Sequence, residues 1–84
     1  MEGLEFTIEP KNIDEMVAAL KKAAKSKGFE FKGDSKSGSA TNAKVLAKVT
    51  YAVKDKSVTV KGEVTGWDLD TLEHLMKEWF RPYR

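Results

Sequence analysis

The chain contains no cysteine. That removes disulfide stapling, thiolate zinc sites and cysteine nucleophiles together. Proline occurs twice, at Pro10 and Pro82, and histidine once, at His74, so a metal site there lacks a second histidine or cysteine ligand. No apolar run approaches the roughly 20 residues of a membrane span, and the opening MEGLEFTIEP has neither the basic start nor the apolar stretch of an export signal. A soluble, cytoplasmic chain is expected, a monomer or weak dimer with no cofactor, no metal and no membrane partner.

What is present is charge, unevenly spread. Residues 1–20 carry five acids and one base, residues 21–62 eleven lysines and three acids, and residues 63–84 five acids and three bases. A basic middle between acidic ends is either a solvated surface or an anion-binding patch. The 84 residues suffice for one hydrophobic core and not for two, so a single domain over 1–84 is expected.

The periodicities define the elements. Leu4 to Glu9 alternates apolar and polar as a half-buried strand does, and Pro10 ends it. Asn12 followed by Glu15 has capping-box spacing, and Ile13, Met16, Val17, Leu20 and Ala24 recur at helical intervals, predicting a helix from Ile13 to Lys27 that Gly28 closes in the left-handed conformation. Lysines 21, 22, 25 and 27 suit the negative end of that helix dipole. Phe29 to Lys32 alternates again. From Ala43 the alternation is long, with Ala43, Val45, Ala47, Val49, Tyr51 and Val53 on one face, and Val58, Val60, Gly62 and Val64 form the apolar side of a further strand.

A turn around Asp55 and Lys56 sets Val53 opposite Val58, Tyr51 opposite Val60, Val49 opposite Gly62 and Ala47 opposite Val64, so both apolar sets face one core. Gly62→Val should destabilise the fold if Gly62 lies under a helix or a large side chain. Asp68 is placed to cap a last helix onto which Trp67 staples through Leu72, with Leu69, Leu72, Leu75, Met76, Trp79 and Phe80 as its apolar stripe. The expectation is an α+β two-layer sandwich of βαβββα order, a four-stranded mixed sheet with two helices on one face. The first two strands, joined through a helix, would be parallel if they are neighbours.

The segment from Gly33 to Lys44, GDSKSGSATNAK, has the glycine spacing of a phosphate-binding loop, but Ser39 and Ala40 stand where the lysine and hydroxyl belong, and a long strand follows instead of a helix. It reads as a mobile connection between strands. Asp70, His74 and Glu78 could line one helix face, as i,i+4 surface partners do. Ser35, Ser37 and Ser39 have no base near them in sequence. The expectation is therefore a non-enzyme.

Two binding readings remain. From Ile13 onward the order matches that of a double-stranded RNA-binding domain, but neither its glycine-proline-x-histidine loop nor its lysine-rich second helix is present. Phe6, Phe29, Phe31 and Tyr51 fall on the core-facing parity and so cannot stack bases as an RNA-recognition sheet does. A sequence-indifferent nucleic-acid binder could still use Lys32, Lys36, Lys44, Lys48 and Lys61 on the open sheet face and loop. The favoured reading is a macromolecular interaction module whose partner is another protein, with Leu46, Arg81, Tyr83 and Arg84 as candidate contacts.

Over the whole chain, GDSKSGSA, VTYAVKDKSVTV and the closing amphipathic helix make the sequence resemble small bacterial proteins of the polyhydroxyalkanoic-acid granule system. The resemblance implies a short opening strand, a lysine-rich helix, a Gly/Ser loop, a hairpin and a closing helix. It implies no site residue.

Overall fold

A computed structural model describes residues 2–44, 46–66 and 68–83. The order is β1 (Glu2–Ile8), α1 (Ile13–Ser26), β2 (Glu30–Gly33), β3 (Ser37–Asn42), β4 (Ala47–Lys54), β5 (Ser57–Val64) and α2 (Leu69–Phe80), followed by a 3-10 turn over Arg81–Tyr83. The class is α+β. The strand count corrects the sequence reading: five strands form one sheet in the order β1-β5-β4-β3-β2. Every pairing is antiparallel. A mixed sheet is therefore wrong, because β1 and β2 are not neighbours but the two opposite edges.

The extra strand is β3, which lies within the stretch expected to be a mobile connection. It pairs with β2 on one side (Gly33↔Gly38, Phe31↔Ala40) and with β4 on the other (Gly38↔Tyr51, Ala40↔Val49). The strand assignment of Ala43, Lys44 and Leu46 also fails. Ala43, Lys44 and Leu46 lie in the turn between β3 and β4, where Leu46 takes a φ of 51° and so leaves the extended conformation; Val45 lies outside the described residues.

The β4–β5 hairpin has the expected register, with Val53↔Val58, Tyr51↔Val60, Val49↔Gly62 and Ala47↔Val64. Asp55 in its two-residue turn takes a φ of 56°, a conformation that Asp tolerates better than bulkier residues. On the outer side of β5, Leu4 pairs with Gly62, Phe6 with Val60 and Ile8 with Val58, so the apolar rows run straight across the sheet.

Both helices cover that apolar face. Helix α1 starts where Asn12 Oδ1 accepts the Glu15 N–H at 3.0 Å. It ends in a Schellman motif, with Phe29 N–H donating to Ala24 O (2.8 Å), Gly28 N–H donating to Lys25 O (3.2 Å) and Gly28 at φ 82°. Its buried residues are Met16, Leu20 and Ala24, spaced one turn apart. Helix α2 buries Leu72, Leu75, Met76, Trp79 and Phe80. Asp68 occupies the N-cap position with extended backbone, but its carboxylate accepts the Thr71 hydroxyl at 3.1 Å instead of a backbone N–H, and the Trp67 staple lies outside the described residues. Phe6 meets Phe80 edge-on at 5.7 Å and Phe29 meets Trp79 edge-on at 5.3 Å, so each end of the β1–α1–β2 segment is tied to α2.

Gly62 lies under α2, which meets the condition for Gly62→Val to destabilise the fold. A Cβ there would collide with Met76 Sδ and come within 3.0 Å of Met76 Cε and 3.2 Å of Leu72 Cδ2. The helix can settle onto the sheet at this point because the strand offers no side chain.

Candidate functional site

The tip of the β2–β3 hairpin answers the phosphate-loop question. Asp34 N–H donates to Ser37 O at 2.9 Å, closing the turn, and the Asp34 carboxylate accepts the N–H groups of Lys36 (2.8 Å) and Ser37 (3.1 Å). Those two amides are the donors an incoming phosphate would need. The chain's own anion already occupies them, and their bonds hold the Asp34 carboxyl below the ordinary aspartate range.

Tyr51 anchors this hairpin from β4. Its ring covers Gly38, where a Cβ would lie 2.5–2.7 Å from Cε1, Oη and Cζ, and it stacks on Phe31 with centroids 6.2 Å apart. Its hydroxyl donates to Asp34 O at 2.5 Å. Burial, followed by the nearby Asp34 charge, pushes the phenol above its ordinary value.

The candidate anion contacts are dispersed. Lys36 precedes β3 and Lys44 follows it, so they sit at opposite ends of a six-residue strand, roughly 20 Å apart. Lys32, Lys48 and Lys61 do lie on the open sheet face, but acids accompany them. Lys61 is 3.4 Å from Glu5, Lys32 is 3.8 Å from Glu30, and Glu63 stands opposite Lys48 in the β4–β5 register. The rows Glu5-Lys61-Thr50-Ser39-Lys32 and Glu63-Lys48-Thr41-Glu30 each set a lysine beside a carboxylate and fill the rest with hydroxyls and further charges. Such a face attracts phosphate weakly, since each lysine works against a neighbouring carboxylate.

The candidate partner contacts are not gathered either. Leu46 is 61% exposed, the large apolar side chain most open to water among the described residues, and its carbonyl accepts Thr65 N–H at 3.2 Å. Arg81 is exposed beyond α2, a helix about 18 Å long, while Tyr83 is partly buried and packs against the core. The tail is therefore folded onto the domain as far as Tyr83; Arg84 lies outside the described residues.

His74, Lys77, Glu78 and Arg81 line a hollow of about 450 Å³ on the solvent side of α2. Lys77 is engaged by Glu73 at 2.8 Å, and among the described residues no hydrogen bond orients the His74 ring. General acid–base work needs an oriented ring with a reacting group beside it, and neither a serine nor a threonine lines the hollow. Among the described residues no three His, Asp or Glu side chains converge as metal ligands, so Asp70, His74 and Glu78 do not form such a set. Inside the core, a crevice between Leu20, Ala24, Tyr51 and Trp79 offers about 10 Å³, room for one water and not for a small molecule.

The sequence reading gave the lysines of α1 only a helix-dipole role. Lys21, Lys22, Lys25 and Lys27 are all exposed, and none is within ion-pair distance of an acid among the described residues. The available signal was the absence of any acid from Met16 to Phe29. No helix among the described residues is long and apolar enough to cross a membrane. Compared with known proteins, the sequence matches no family model and no curated protein. The resemblance to the granule-system proteins thus rests on GDSKSGSA, VTYAVKDKSVTV and the closing helix alone, and it lends no functional residue.

Proposed function

We propose that the protein is a small non-enzymatic interaction module that takes a protein partner at the β3–β4 turn, with Leu46 as the apolar anchor. The observation that carries this reading is the conformation of Leu46: a bulky side chain in the left-handed region, 61% exposed. That backbone costs a non-glycine residue about 1–2 kcal/mol, and the exposed side chain returns little hydrophobic stabilisation to the fold. Glycine or asparagine would serve the turn better. Backbone strain held in a protruding apolar residue is a common mark of a contact site. Thr65 supports the presentation by binding the Leu46 carbonyl through its N–H (3.2 Å) and its hydroxyl (3.5 Å).

The alternative, nucleic-acid binding through the lysines of the open sheet face, is less well supported because those lysines alternate with Glu5, Glu30 and Glu63. The test is Leu46→Asn. It is expected to raise stability by about 1 kcal/mol, or roughly 4–8 °C in melting temperature, while abolishing affinity capture of the partner that the wild-type protein recovers from cell extract. A partner retained by the variant, or a lower melting temperature, would overturn the reading.

A further inference from the structure

We propose that the C-terminal half of α1, with Lys21, Lys22, Lys25, Lys27 and the neighbouring Lys44, binds the phosphate backbone of duplex nucleic acid. Three features single out this surface. Its lysines are exposed and free of acidic partners among the described residues, unlike Lys32, Lys61 and Lys77, which are ion-paired. Lys44 joins them because the end of α1 abuts the β3–β4 turn: a Cβ on Gly28 would lie 3.9 Å from Asn42 Nδ2, and Asn42 Oδ1 accepts the Lys44 N–H at 3.0 Å. The acids of α1, Asp14 and Glu15, are confined to its first turn.

The class of partner follows from the residue types. Alanine and serine separate these lysines, and among the described residues neither an aromatic side chain nor arginine lies on the ridge. Protein interfaces are depleted in lysine and rely on aromatic and arginine anchors, whereas sequence-independent phosphate contacts need only positive charge. Single-strand binding needs aromatic faces for stacking, and the aromatics near this surface are in the core: Phe29 is buried and Phe31 is covered by Tyr51. A membrane-surface helix needs a free apolar face, but Met16, Leu20 and Ala24 are sealed against the sheet and α2. Lys21 and Lys25 lie one turn apart, about 6 Å along the helix, a spacing suited to successive backbone phosphates.

The experiment is fluorescence anisotropy of a labelled 24-base-pair duplex between 20 and 200 mM salt, with backbone amide NMR shifts to locate the contact. One phosphate neutralised by each of the five lysines predicts a log–log salt slope near −4.5, so affinity should fall roughly five-hundredfold between 50 and 200 mM. Shifts should cluster from Lys21 to Gly28 and at Lys44. The variant K21Q/K22Q/K25Q/K27Q should lose at least tenfold in affinity at 50 mM with its melting temperature retained, and the milder K22Q/K25Q should flatten the slope by about two. The sheet-face variant K32Q/K61Q should bind as the wild type does, and loss of duplex binding in the α1 variants with capture of the protein partner unchanged keeps this outcome separate from the fate of the protein-partner reading. No binding at 20 mM salt, unaltered binding by the α1 variants, loss in K32Q/K61Q instead, or binding to phosphatidylglycerol vesicles but not to the duplex would overturn the proposal.

Discussion

Two hairpins of the sheet, β4–β5 and β2–β3, are held by different means. In β4–β5 each strand supplies its own apolar side chains: Val53 meets Val58 and Tyr51 meets Val60, and of these four only Val53 is less than fully buried. In β2–β3 the corresponding pairs are Gly33↔Gly38 and Phe31↔Ala40, so Phe31, itself only partly buried, is the one large apolar side chain the hairpin supplies and its tip has none. That hairpin is held by a side chain from outside it, Tyr51, and by the Asp34 carboxylate folded back on its own turn. A strand can thus be formed by what its neighbour places over it.

Removing Tyr51 therefore separates the two hairpins most sharply. Tyr51→Ala should cost about 3–4 kcal/mol, and amide exchange should accelerate first in residues 31–40. Tyr51→Phe, which keeps the ring and loses only the bond to Asp34 O, should cost about 1 kcal/mol. The two positions should also couple. Gly38→Val is destabilising beneath the wild-type ring, but in the Tyr51→Ala background it fills vacated space and becomes neutral or stabilising. Additive effects from thermal melts of the four proteins would show that Tyr51 does not cover Gly38.

Gly62 tests the β4–β5 side, where the packing is apolar throughout. Gly62→Ala pushes against Met76, whose flexible thioether can shift, at a cost of about 1 kcal/mol. Gly62→Val adds branches toward Leu72 and should cost about 2–3 kcal/mol, a fall of 8 °C or more in melting temperature. An unchanged melting temperature would move α2 off this strand.

The same contrast explains what could be read from the sequence. The β1 alternation, the α1 stripe and caps, the β4–β5 register and the α2 stripe are all cases in which a segment's own side chains enter the core, and there period and burial coincide. SGSATN has no apolar period, so β3 was illegible: its partner on the covered face is Tyr51, ten or more residues away. At Ala43 to Leu46 the error was the opposite one. The period-two pattern begins before the strand does: among the described residues Ala43 and Lys44 lie in the turn, and Leu46 takes a positive φ. For the candidate site, parity placed Lys32, Lys48 and Lys61 on the open face correctly. That Glu5, Glu30 and Glu63 would neutralise them depended on the full order β1-β5-β4-β3-β2, which cannot be read along one strand.

The Asp34 turn gives the subtlest test of how β2–β3 is held. Its carboxylate accepts two backbone N–H bonds in the native state, which lowers its folded pKa beneath the unfolded value of about 3.9. With the folded value depressed, the unfolded state binds the proton more readily. The contribution to stability is therefore complete above that unfolded value and disappears as pH falls through the folded one. Asp34→Asn retains an oxygen acceptor for both bonds and has no charge to titrate. The stability of the wild type relative to Asp34→Asn should be constant from pH 7 to 5 and decline toward pH 2, as followed by denaturant unfolding, with the Asp34 carboxyl carbon titrating below its free-peptide value by NMR. A relative stability flat across the whole range would mean that the Lys36 and Ser37 amides bind the carbonyl-like geometry of the side chain and not its charge. The turn would then be an ordinary Asx turn, with Tyr51 alone holding the glycine strand in the sheet.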